Sequence, residues 1–155
     1  MYKRQGITER WRGFEELPPD IEQMLRRLIP LFKDQGVLLA YLFGSLAQGY
    51  RGQDIDLAIL ARGVPAFRLR EAIVERLGTE RVDLVDLERT SPVLRFEIIR
   101  TGRPLYVSDS KTQERFELET LHLYRDTHPL RRQQRDHLRR RIIQWSSDEK
   151  PSKSA

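Results

Sequence analysis

The sequence predicts an α+β domain: a sheet of three to four strands covered by helices, with a helical extension at its C-terminal end. Three patterns carry that expectation. Apolar residues at helical spacing alternate along the chain with short, uncharged apolar runs of strand length. Two of those runs, residues 37–43 and 55–60, lie on either side of one short polar loop. Beyond residue 109 the spacing is helical throughout. Such mixing of elements buries its apolar faces best as a sheet under helices.

Taken in order, residues 1–17 lack periodicity and read as a flexible arm that Trp11 and Phe14 could dock on the body. Pro18-Pro19-Asp20 starts a helix, with an acidic residue suited to the first turn. Ile21, Met24, Leu25, Leu28, Leu31 and Phe32 follow at three- and four-residue steps and form one apolar face. Pro30 is expected to kink that helix near its last turn, and Gly36 to end it. Residues 37–43 are uncharged, as a buried strand should be. After the second strand, Arg62-Gly63-Val64-Pro65 is a break. Residues 66–77 form a helix on Leu69, Ile73 and Leu77. Residues 81–87 are a third strand, with Asp83 set between Val82 and Leu84. Ser91-Pro92 is a helix start, Ser as N-cap and Pro at the first helical position, and that helix runs to about Arg100. Residues 104–107 are a short strand. Residues 109–145 are helical, divided or kinked at Pro129, with Phe116, Leu121, Tyr124, Leu130, Leu138, Ile142 and Trp145 as apolar contacts. Residues 146–155 are polar and expected to be disordered. The plan is an arm (1–17), a core (18–108), a helical segment (109–145) and a tail (146–155).

Composition excludes several classes. With 155 residues, 39% hydrophobic and 33% charged, the chain suits one soluble domain. No apolar run approaches the roughly 20 residues of a membrane span, so no membrane partner is expected. The N-terminus is polar and charged, unlike a signal peptide. There are no cysteines, which removes disulfides and thiolate ligands and fits a cytoplasmic location. His122, His128 and His137 lack a paired ligand spacing. The net charge of +5 is uneven, since residues 131–141 hold six arginines. That stripe suits a solvated helix face, an acidic protein or weak nucleic-acid binding.

The chemistry concentrates in one stretch. The run ending at Phe43 is followed by Gly44-Ser45, then a polar loop, then Asp54-Ile55-Asp56 opening the second apolar run. Gly44 lets the chain turn sharply and lets a ligand approach its backbone. The amides that follow can point together at an anion, above all if residues 45–48 begin a short helix, and Ser45 adds a hydroxyl donor. Asp54 and Asp56 leave one face of a strand, while Ile55 and Leu57 face the core. Paired carboxylates are hard oxygen ligands suited to Mg²⁺. A phosphate cradle facing such a pair is equipment for phosphoryl or nucleotidyl transfer. Asp83, an acid inside an apolar run, needs a partner or a solvated cleft. Asp86 competes with it for a third acidic role, and Asp83 is favoured by its setting.

Gly44-Ser45 followed by Asp54-x-Asp56 resembles the signature of the DNA polymerase β-type nucleotidyltransferases, and most closely the minimal nucleotidyltransferases. Val82-Asp83-Leu84 resembles the later strand that bears that family's third carboxylate. The likeness continues through the helix and strand at residues 94–106 and covers about residues 20–145. It implies the nucleotidyltransferase fold, with a mixed sheet. It also implies a site in which Gly44 and Ser45 hold a nucleotide and Asp54, Asp56 and Asp83 serve catalysis and bind two Mg²⁺ ions, with ATP as substrate. Stand-alone members of that branch are typically antitoxins that transfer AMP to a tyrosine of a HEPN-domain toxin, so a HEPN toxin is the implied partner. One departure is visible: eight residues, 46–53, separate Gly44-Ser45 from Asp54 where the family usually has about ten, and Gln53 stands where Ser is frequent.

No Gly-x-x-x-x-Gly-Lys-Ser/Thr loop or Gly-x-Gly-x-x-Gly turn is present, so P-loop and dinucleotide-binding readings fall. Three readings stand: a nucleotidyltransferase that modifies a macromolecular acceptor, an antitoxin that acts by binding alone, and a nucleic-acid-binding regulator using residues 131–141.

Overall fold

The computed structural model describes residues 17–50 and 52–148. The chain runs α1 (Ile21–Arg26), α2 (Leu28–Asp34), β1 (Val37–Phe43), α3 (Gly44–Ala47), β2 (Ile55–Ala61), α4 (Ala66–Leu77), β3 (Val82–Asp86), α5 (Pro92–Thr101), β4 (Arg103–Val107), α6 (Ser110–Asp126) and α7 (His128–Asp148).

The four strands form one sheet in the order β3-β2-β1-β4. β1 pairs antiparallel with both β2 and β4, while β2 and β3 run parallel. A parallel neighbour requires a crossover, and α4 supplies it. The mixed sheet implied by the family likeness is therefore present.

Alternation along β1 and β2 divides the interior into two cores. Ala40, Leu42, Ile55, Leu57 and Ile59 face α1, α2 and α4, where Leu25, Leu28, Phe32 and Ile73 are fully buried. Leu39, Tyr41 and Ala58 face the other way, toward Ile98 of α5 and Phe116 of α6. Tyr41 donates a hydrogen bond to Oε1 of Glu117 (2.9 Å), fastening α6 to the sheet.

Several expectations need correcting. The first helix is interrupted at Arg27, not near its last turn. Pro30 has no N–H for the Arg26 carbonyl and its ring crowds that carbonyl, so the break falls one turn upstream of the proline. Pro129 acts alike, and the break falls at Thr127. Leu17, assigned to the arm, is buried in the larger core and its amide donates to the Gly52 carbonyl (3.2 Å). Trp11 and Phe14 lie outside the described residues. Leu130, Leu138, Ile142 and Trp145 make no core: each is more than half exposed. Beyond its first turn α7 is exposed throughout residues 132–147, so Leu138, Ile142 and Trp145 lie in solvent among the described residues. That helix continues through residues 146–148, where a disordered tail was expected. The Ser146 and Ser147 hydroxyls donate back to the Ile142 and Ile143 carbonyls. Among the described residues no helix is long and apolar enough to cross a membrane.

Candidate active site

The register of the sheet builds the site. Phe43, the last residue of β1, pairs with Asp56 of β2, and Asp56 lies in register with Asp83 of β3. Asp56 and Asp83 thus stand side by side on adjacent parallel strands. Both share the sheet face of Ala58 and Tyr41, at the end of the sheet where α3 begins. Asp54 lies just before β2, two residues from Asp56, so it leaves the chain on that same face. Asp54 and Asp83 are exposed, whereas Asp56 is half-buried. Asp83 therefore satisfies its charge in solvent, despite its apolar neighbours in sequence.

The electrostatics follow from that crowding. The Asp56 carboxyl is pushed above the usual carboxylate range, first by burial and then by the negative charges of Asp83 and Asp54. Among the described residues no three acids or histidines are already gathered closely enough to hold an ion outright. Asp56 and Asp83 share a face, and Asp54, in the bend before β2, lies close enough for its charge to act on Asp56. Three hard oxygen donors of one sign, crowded enough to shift Asp56, fit a divalent cation such as Mg²⁺.

The turn beneath them is shaped by two glycines. Gly44 has φ +72°, and a Cβ there would lie 2.1 Å from Asp56 Oδ2. Asp56 thus lies directly over a residue that only glycine can be. The chain then enters α3, a single helical turn whose first amides have no intrahelical acceptors. The loop after it closes tightly: the Ser45 carbonyl accepts from the amides of Gln48 (3.2 Å) and Tyr50 (3.1 Å). Gly52, buried beside this turn, would place a Cβ 2.7 Å from Ser45 Oγ. Sequence reasoning missed Gly52 and Leu17. The only signal for Gly52 was its position in the short loop, two residues before Asp54.

Asp86 goes elsewhere. It is three residues from Asp83, so it leaves the opposite face of β3, beside Ile59, Ala61 and Val64. Its Oδ1 accepts from the Glu88 amide (3.0 Å) and its carbonyl from Thr90 Oγ1 (2.7 Å). It shapes the turn after β3.

Known proteins share the fold. Residues 26–111 match the family described as Polymerase beta, Nucleotidyltransferase. The chain belongs to this nucleotidyltransferase family. It is 33% identical over 106 residues to the protein adenylyltransferase MntA of Shewanella oneidensis, covering 63% of this chain and 75% of that protein. A crystal structure of a toxin–antitoxin with AMP-PNP superposes with a TM-score of 0.64 at 30% identity, over 74% of this chain and 97% of the other. The MNT antitoxin complexed with the tri-AMPylated HEPN toxin of Shewanella oneidensis gives a TM-score of 0.62 at 28% identity, over 76% and 97%. The nucleotidyltransferase fold expected from Gly44-Ser45 and Asp54-x-Asp56 is thus shared with these relatives.

Proposed function

We propose that this chain is a protein adenylyltransferase that moves AMP from ATP to a hydroxyl, that of a tyrosine, on a HEPN toxin, and so acts as its antitoxin. The observation that carries the reading is the register of Asp56 with Asp83 over the Gly44-Ser45 turn. In this reading the Gly44-Ser45 turn is the phosphate cradle and Asp54, Asp56 and Asp83 are the acids that stand against it. The similarity to MntA and to antitoxins crystallised with a HEPN toxin and with AMP-PNP supports the choice of nucleotide and acceptor.

In this reading the amides after Gly44 and the Ser45 hydroxyl hold the phosphates that leave as pyrophosphate. Asp54, Asp56 and Asp83 would hold Mg²⁺, which when bound neutralises charge on the triphosphate. Asp83, exposed at the edge of the group, faces the incoming acceptor and takes the proton from its hydroxyl. The acceptor oxygen forms its bond to the α-phosphorus as the bond from that phosphorus to the pyrophosphate oxygen breaks. Three acids crowded onto one face offer nothing to a pure binder, because their repulsion costs stability.

The test is stoichiometry. Substoichiometric protein with ATP and Mg²⁺ should add AMP, or a multiple of it, to every copy of the HEPN toxin it neutralises. Asp83→Ala should remove that activity and Asp86→Ala should leave it. Inhibition that needs one copy per partner, proceeds without ATP and survives Asp54→Ala with Asp56→Ala would replace this reading with an antitoxin that acts by binding alone.

A further inference from the structure

α7 is anchored by its first turn alone. Arg131 Nη1 donates to the Tyr124 carbonyl (2.8 Å) and to Thr127 Oγ1 (2.6 Å). Its guanidinium stacks on the Tyr124 ring at 3.9 Å, and that ring stacks on Phe96 at 3.9 Å. Every residue from 132 to 147 is exposed. At 1.5 Å per residue the helix extends about 24 Å beyond its anchor.

Leu138, Ile142 and Trp145 are 56%, 60% and 61% exposed and follow one another at four- and three-residue steps, so they form one stripe. Leu138 is seven residues from Arg131, two helical turns, so the stripe prolongs the face by which the helix rests on the body. A groove of about 500 Å³ lies between α5 and α6, lined by Phe96, Ile99, Leu118 and Leu121 together with Glu114 and Glu117. The α7 stripe has nothing from the described chain upon it.

Charge selects what fits. Residues 128–147 contain six arginines and one acid, Asp136, so they carry the whole of the chain's net charge of +5. A second copy would bring the same excess against it. A nucleic acid would answer the arginines but leave Leu138 and Ile142 in water. A narrow apolar stripe at helical spacing, flanked by Arg135, Arg139 and Arg141, matches an amphipathic helix whose own stripe is edged with acids.

We propose that α7 is a docking arm for an acidic, helical face of the protein that the site modifies. This rests on the adenylyltransferase reading for the partner's identity, while its binding test does not require transfer. With the HEPN toxin that it neutralises as probe, Kd is measured without ATP, and KM and kcat for AMP transfer with ATP and Mg²⁺. The full chain carrying Leu138→Ser, Ile142→Ser and Trp145→Ser should raise Kd and partner KM at least about thirtyfold. Its kcat at saturating partner and its KM for ATP should stay within about twofold. Arg135→Glu with Arg139→Glu should weaken binding and flatten its salt dependence. An unchanged Kd in the triple variant overturns the arm. So does a wild-type dimer in sedimentation that the triple variant abolishes, or displacement of the HEPN protein by a single-stranded oligonucleotide. Tight, stripe-dependent binding without transfer keeps the arm and rejects the adenylyltransferase reading. No binding by the wild type rejects both.

Discussion

Asp56 carries more of the site's physics than any other side chain. Its carboxyl is raised above the ordinary range, so the folded protein binds that proton more readily than the unfolded chain does. The cost of charging Asp56 is therefore absent below the unfolded carboxylate range, near pH 4. It grows as pH rises from there toward the folded value and stands in full above it. Asp56→Asn should stabilise the fold at pH 7, by about 1 kcal/mol or less because solvent screens a half-exposed group. Melting curves should show that advantage shrinking as pH falls toward about 4 and gone below it. The same variant should lose transfer at least about a hundredfold. Gly44→Ala should cost about 1–2 kcal/mol for its left-handed φ alone and should also displace Asp56. Gly52 is different, because its φ is ordinary and only Ser45 Oγ stands in the way. Gly52→Ala should turn that hydroxyl aside and raise the KM for ATP. In a Ser45→Ala background the same substitution should add nothing, and additive effects would mean that Gly52 acts on the backbone instead.

Among the elements, β1 and β2 do the most organising, since both pair on two edges and supply both cores, and β1 alone runs antiparallel to both its neighbours. Tyr41 is its tie to α6. Burial and the bonded carboxylate of Glu117 push its hydroxyl far above the usual tyrosine range. The stability this represents is present below about pH 10 and is lost as pH rises toward the folded value. Tyr41→Phe should cost about 1.5–3 kcal/mol, the worth of a bond to a charged group. Its stability should fall less steeply above pH 10 than that of the wild type. β1, β2 and α4 were legible in the sequence because each has one period and clear stops. The acidic trio was legible because carboxylates beside apolar residues are chemically conspicuous. Other features depend on tertiary placement. Proline steric effects fall one turn upstream, so the breaks at Arg27 and Thr127 precede Pro30 and Pro129. Leu130, Leu138, Ile142 and Trp145 have core-like spacing, and no local pattern says that they will stay more than half exposed among the described residues. Gly52 matters only because the loop folds it against Ser45.

At the scale of the molecule, the sheet holds a large core on one face, a smaller one on the site's face, and one helix that belongs to neither. That division has a kinetic consequence. Isolated helices of about twenty residues are marginal in water, and segments without tertiary packing open at little free-energy cost. From residue 132 to residue 147 α7 has no such packing. Arg132, Arg135, Arg139, Arg140 and Arg141 should therefore be the first sites cut by trypsin between residues 17 and 147. Arg70 should resist, since its guanidinium is tied to the Val82 and Glu80 carbonyls (both 3.0 Å) and its helix lines the larger core. Mass spectrometry of a brief digest should find cleavage at residues 132–141 at least about a hundredfold faster than at residues 62–125. The trimmed protein should keep its Tm within about 2 °C, because the lost residues bury nothing in the core. Cleavage at equal rates in both regions would mean that α7 is packed on another part of this chain, and its apolar stripe would then no longer be a surface in search of a partner.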